Sequence, residues 1–241
     1  MSTSRFPFID ILRGCAIGLM VIYHFFFDLD YYRFIDLDMN QDSFWISFRT
    51  IIVTFFLGIM GISFRLASAS GIKWRKYSIR LLQIASCAAI ISISSYVMFP
   101  QSWIFFGILH FVALSSILVL FTLRFHWANL AIGILIILFA LNFNHPWFDQ
   151  PAFQWLGLMT AKPYTEDYVP LLPWLGVVLI GIFVGKQLLY HAPKSLPWCY
   201  LEPRIMPARI LGKAGRHSLI IYMLHQPFLL GMLFIFDKVF R

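Results

Sequence analysis

Charge is what this sequence has least of. Only 11 of its 241 residues are acidic, and charged residues of both signs make up 12% of the chain. A soluble domain carries about 25%, so a water-facing surface of ordinary extent is excluded. Cysteine is nearly absent. Cys15, Cys87 and Cys199 are odd in number and far apart, which excludes a disulfide framework or a zinc-ligand spacing. A cleavable signal peptide is not expected, because the first apolar stretch is long and Asp10 and Arg13 interrupt it. There is no internal repeat and no split into soluble and membrane parts. The net charge of +8 does not indicate nucleic-acid binding, because the bases sit in short loops between apolar runs, where they orient helices.

What is present is apolar: 60% of the residues are hydrophobic. The runs predict an all-α fold, a polytopic membrane helix bundle of about seven transmembrane helices. The expected spans lie near Phe8–Leu29, Phe44–Leu66, Tyr77–Met98, Trp103–Leu123, Trp127–Phe143, Leu171–Leu189 and Ser218–Phe236. They form a single integral-membrane domain over residues 1–241. Arg65, Lys73, Arg75, Lys76 and Arg80 follow the second span, Arg124 follows the fourth, and Lys186, Lys194, Arg204, Arg209, Lys213 and Arg216 follow the sixth. All fall on the side of Arg5. Most acids, including Asp28, Asp30, Asp36, Asp38, Asp42, Asp149, Glu166 and Asp167, fall on the other, which has few bases beyond Arg33, Lys162, Lys238 and Arg241. The positive-inside rule then places the N-terminus in the cytoplasm and the C-terminus outside.

Two loops are long. Asn144–Pro170 is rich in aromatics and broken by prolines, and reads as an interfacial or re-entrant segment, either an aromatic belt or a lid. His191–Arg216 interleaves Pro193, Pro197, Pro203 and Pro207 with bases, and reads as a basic interfacial linker or one wall of an anion site. In the last span Pro227 frees the Met223 carbonyl, so a kink is expected against protein or a wet cavity.

Ionisable groups at membrane depth cost about 2.5–3.5 kcal/mol each on insertion scales, so they are usually paired or functional. The first span carries Arg13 and His24, with Asp10 and Asp28 near its ends. Asp10 and Arg13 share a face and read as a local ion pair that could also organise a site; His24 and Asp28 share another face. Counting depth along the spans gives an outer group of His24, Asp28, Arg49 and His110. The inner group comprises Asp10, Arg13, His225 and Gln226, with loop bases such as Arg65, Lys213 and Arg216. This arrangement suits group transfer across the membrane. A basic mouth would hold a phosphate-rich donor, and His24 would act as a general base or carry the acyl group. Two other readings stay open: a transporter whose polar groups line a path, and a haem protein ligated by His24 and His110.

The opening R-x-x-x-I-D-x-L-R-G…H, here Arg5, Ile9, Asp10, Leu12, Arg13, Gly14 and His24, resembles the first span of the transmembrane acyltransferases. The whole chain resembles the small bacterial members of the heparan-α-glucosaminide N-acetyltransferase catalytic-domain family. The resemblance extends through Phe55–Ala67, Gly107–Leu118, Asp167–Ile182 and Leu211–Pro227. It implies a multi-pass protein of the bacterial inner membrane that takes acetyl-CoA from the cytoplasm and acetylates a sugar-like acceptor, a cell-envelope sugar, at the far face. No metal is implied. His24 falls where related O-acyltransferases carry an essential histidine. The partners expected on this basis are the lipid bilayer, acetyl-CoA and the acceptor, with a homodimer left open and nucleic acid excluded. Catalysis would fall to His24, Asp28, His110 and Arg49. Donor binding would fall to Asp10, Arg13, Arg65, Lys213, Arg216 and His225.

Overall fold

The computed structural model describes residues 6–165, 167–195 and 205–240, and among them every regular element is helical. Arg5, Glu166, Cys199, Pro197, Pro203, Arg204 and Arg241 lie outside the described residues, as does the side chain of Lys194. Eight α-helices follow one another: α1 (Pro7–Tyr31), α2 (Ser43–Ala67), α3 (Trp74–Met98), α4 (Ile108–Leu118), α5 (Trp127–Asn142), α6 (Leu171–Ser195), α7 (Met206–Arg216) and α8 (Ser218–Phe240). Five of them, α1, α2, α3, α6 and α8, are long and apolar enough to cross a membrane. The fourth and fifth expected spans fall on shorter apolar helices, α4 with the 3₁₀ turn that extends it to Phe121, and α5. The 16 residues of α5 reach about 24 Å, against a hydrocarbon core of about 30 Å.

The late start of α4 has a local cause. Between Phe99 and Gly107 the chain is held by hydroxyls of α3 instead of by its own helical bonds. The Ser92 hydroxyl donates to the Ile104 carbonyl at 2.6 Å, and the Ile104 N–H donates to the Ser95 hydroxyl at 3.0 Å. Backbone groups satisfied in this way have no need of a helical partner.

The described chain divides into two compact units: residues 6–59 with 192–195 and 205–240, and Met60–His191. In the first unit α1 is flanked on separate faces. Tyr23, Met39, Trp45 and Ile52 pack together on the side of α2, with Phe48 and Phe27 against them. The other side receives α7 and α8. A Cβ on Gly14 would overlap the Leu211 carbonyl, and one on Gly215 would overlap the Asp10 carbonyl, so these two backbones approach as only glycine allows. The pairs Gly14–Leu211 and Asp10–Gly215 run in opposite senses, and α7 therefore lies antiparallel along the start of α1. The chain reverses at His217. From there α8 runs parallel to α1, as the contacts His24–His225, Asp28–Gln226 and Phe34–Phe236 show.

In the second unit α6 is the central element. Gly61 of α2 abuts the Val178 carbonyl, Gly185 abuts Ile62 and the Arg65 Cβ, and Gly133 of α5 faces Gly176. Thus α2 runs parallel to α6, and α5 runs against it. The Tyr77 hydroxyl on α3 donates to the Ser116 carbonyl on α4 at 3.2 Å. The segment between α5 and α6 contains no long helix. It is organised by two 3₁₀ turns, Pro146–Asp149 and Gln154–Leu156, and by stacking of Trp147 on Phe153 at 4.1 Å.

Candidate functional site

The first unit brings four polar side chains of α1 and α8 together. The rings of His24 and His225 lie with centroids 4.9 Å apart and planes at 61°. One turn further along α1, Asp28 is 1% exposed and accepts a hydrogen bond from Gln226 Nε2 at 2.6 Å. His225 Nδ1 lies 2.7 Å from the Tyr222 carbonyl. A carbonyl only accepts, so Nδ1 carries the proton, and the neutral ring has its lone pair on Nε2. His24 Nδ1 is buried and has no hydrogen-bond partner among the described residues.

This meeting corrects the depth count made along the sequence, which put His24 in an outer group and His225 with Gln226 in an inner one. The count assumed that the last span starts level with the first. Instead α7 folds back along α1, so that Gly215 already stands beside Asp10. The helix that follows starts partway along α1, so that His225, the eighth residue of α8, stands level with His24.

The other expected site residues are distributed differently. Arg49 reaches the Tyr23 hydroxyl, and the Tyr23 ring lies 5.7 Å from that of His24, so Arg49 borders the His24–His225 cluster through Tyr23. Arg13 pairs with Asp10 at 3.5 Å and donates to the Gly215 carbonyl at 3.4 Å. It thereby ties α1 to the C-terminal end of α7, where a cation complements the helix dipole. Lys213 and Arg216 are exposed on α7. His110, in the second unit, has both ring nitrogens engaged. Its Nδ1 accepts from the Gly107 N–H at 3.2 Å, and its Nε2 lies 3.1 Å from the Ser92 hydroxyl. That leaves no nitrogen for iron, which removes the reading of His110 as a haem ligand. Beside it, the Asp167 carboxylate accepts the Ile108 N–H at 3.1 Å, so two side chains hold the start of α4.

The second unit also contains a cavity of about 480 Å³ at the ends of α2, α5 and α6. It is lined by Arg65, His126, Lys186, Gln187, Tyr190 and His191, with Leu189. Close packing of α6 on both neighbours creates it: Gly185 admits the Arg65 stem, and His126 stacks on Phe183 at 4.8 Å. Arg65 Nε and His126 Nδ1 are buried without a partner among the described residues. His126, in the turn before α5, is held below the ordinary imidazole range, first by desolvation and then by the cations Lys186 and Arg65. Of these residues the sequence marks Arg65 as a donor-binding candidate, His191 as the start of the linker that could wall an anion site, and Lys186 as an orienting base; it carries no mark for His126. The available signal is the grouping of bases expected for the loops after spans two, four and six.

The sequence model of the family described as heparan-α-glucosaminide N-acetyltransferase, catalytic, matches residues 5–227. The chain belongs to this family. No curated protein and no solved structure matches it. Membership and the long apolar helices together make this heparan-α-glucosaminide N-acetyltransferase family member a multi-pass, acetyltransferase-like membrane protein. The matched range includes both histidines of the α1–α8 cluster and every residue lining the basic cavity.

Proposed function

We propose that the protein transfers an acetyl group from cytoplasmic acetyl-CoA to an amine or hydroxyl of a sugar-type acceptor at the outer face of a bacterial inner membrane. The observation that supports this most directly is His24 facing His225, beside the buried pair of Asp28 and Gln226. Acetyl-CoA supplies the acetyl group as a thioester. His24 takes the proton from the acceptor N–H or O–H as its lone pair attacks the acetyl carbon. The new N–C or O–C bond forms, the C–S bond breaks, and His24 returns the proton to the departing sulfur. His225, fixed on the Tyr222 carbonyl, presents Nε2 towards this exchange. Asp28, held by Gln226, contributes the negative charge that favours an imidazolium on the same helix face. Arg49 positions Tyr23 beside His24. Lys213 and Arg216 in the first unit, and separately Arg65 in the second, are the cations proposed for the donor's phosphates. Arg13 and Asp10 hold the α1–α7 frame, and His110 keeps α4 in place.

The test is thioester turnover by the detergent-purified protein with amino sugars as acceptors. Release of free CoA thiol by the native chain is expected, together with its loss in a folded His24→Ala variant. Acetyl label retained on the protein without acceptor would assign His24 the carrier role instead. Vectorial uptake into liposomes with no thioester loss would favour the transporter.

A further inference from the structure

The cavity at the ends of α2, α5 and α6 has a composition that needs explaining. Two basic side chains, Arg65 and Lys186, and two imidazoles, His126 and His191, line it, and no acid is among the described lining residues. Cations gathered in a partly desolvated pocket repel one another, and burial raises that cost. Hydrogen-bonding atoms are also committed there without a partner. Arg65 Nε and His126 Nδ1 are both buried, and neither finds an acceptor or donor among the described residues. In an isolated chain such groups would carry their desolvation cost uncompensated. The backbone nevertheless enforces the arrangement. Glycine at 185 lets the Arg65 stem close on α6 next to Lys186, and the stack on Phe183 fixes the His126 ring at the same end.

We propose that this cavity is a phosphate-binding site, whose ligand is a phosphomonoester or pyrophosphate group held by Arg65, Lys186 and His126. A dianionic phosphate offers several strong acceptor oxygens, enough to engage a guanidinium fork, an ammonium and an imidazole N–H together. It would neutralise the mutual repulsion and satisfy the two buried nitrogens. It would also restore the His126 imidazole towards its ordinary basicity, which the neighbouring cations now depress. A volume of about 480 Å³ exceeds a single phosphate and leaves room for the group that carries it. Two sources share this chemistry. One is a soluble nucleotide-type donor, and that assignment rests on the acetyl-transfer reading. The other is the headgroup of an anionic phospholipid, which does not depend on it.

The experiment uses the full chain purified in detergent. Sodium pyrophosphate and adenosine 3′,5′-bisphosphate are titrated calorimetrically at low ionic strength into the native protein and the Lys186→Gln, His126→Gln and Lys186→Arg variants. In parallel, thermal stability is measured in nanodiscs of phosphatidylcholine with and without phosphatidic acid. Binding of the soluble phosphates, weakened about tenfold or more by Lys186→Gln and largely kept by Lys186→Arg, supports the site with a soluble ligand. Stabilisation by phosphatidic acid alone, lost in Lys186→Gln, supports the site with a lipid ligand. Neither effect in the native protein, or equal effects in native and Lys186→Gln chains of matched stability, overturns it. Thioester turnover by the native protein separates the two claims. Phosphate binding without turnover sinks acetyl transfer and leaves the site standing. Turnover without binding, at a KM unchanged by Lys186→Gln, sinks the site alone.

Discussion

Gln226 on α8 donates to the Asp28 carboxylate on α1 at 2.6 Å, at a position where Asp28 is 1% exposed. A carboxylate this deep is tolerated because its charge is met by donors, and the amide is one that the sequence alone gave no reason to place there. The pair also defines how α8 is rotated, since His225 precedes Gln226 and faces His24.

Removing this donor is therefore expected to act on stability and on activity. Gln226→Leu leaves Asp28 short of a bond and should cost about 1–3 kcal/mol, read as a lowered thermal midpoint in detergent. Gln226→Glu sets two carboxylates together and should be worse. Equal stability of the native and Gln226→Glu proteins would contradict the geometry.

The glycines of α1 and α7 allow a sharper comparison. Gly14→Ala and Gly215→Ala place a methyl group against the Leu211 and Asp10 backbone. Each should cost at least about 1–3 kcal/mol, because backbone cannot yield as a flexible side chain can. Gly212→Ala meets only Ile11 Cγ1 at 3.6 Å, and Gly18→Ala meets nothing within 4 Å. Both should be neutral, or stabilising by up to about 1 kcal/mol through helix propensity. The four thermal midpoints decide the matter.

If His24 is the base, His24→Ala should lower turnover by about 10²–10⁴-fold while membrane insertion and melting stay near native. His225→Ala should lower turnover less. Arg49→Gln should change stability through Tyr23 more than it changes the rate per folded molecule.

Asp149, in the segment between α5 and α6, gives a pH prediction. Its carboxylate accepts from the Thr160 hydroxyl at 2.6 Å and the Thr160 N–H at 2.7 Å. These bonds, the hydroxyl first, hold its pKa below the ordinary 3.8. A depressed carboxylate pKa stabilises the folded loop above the unfolded value, and that contribution is lost as pH falls through the folded value. The loop should thus stay ordered down to about pH 3.8 and loosen only below it, as seen by NMR titration of Asp149. Thr160→Val should move the midpoint upward.

The long apolar helices were legible because their signal is length and hydropathy. The second span expected at Phe44–Leu66 is α2 at Ser43–Ala67, and the last, expected from Ser218, begins there. The helix α7 was not legible. Its bases and Pro207 suggested a loop, whereas Pro207 stands at the first turn, where proline is compatible with a helix. Missing α7 misplaced His225, because the level at which α8 begins is set by the Gly14–Leu211 and Asp10–Gly215 contacts and not by hydropathy. The bonds of His110 to Gly107 and Ser92 were not legible either, because one is a turn contact and the other a cross-helix contact. Neither leaves a periodic trace in the sequence.

The clasp of α1 by α7 and α8 has a bearing on how the protein is made. Asp28 and Gln226 are 198 positions apart, so at about 5–20 residues per second the ribosome needs roughly ten seconds or more between them. Throughout that interval the nascent first helix holds a histidine and an aspartate in the bilayer without their eventual companions. The imidazole pair then forms only when the last helix arrives, so a truncated or stalled chain would be inserted yet lack the pair.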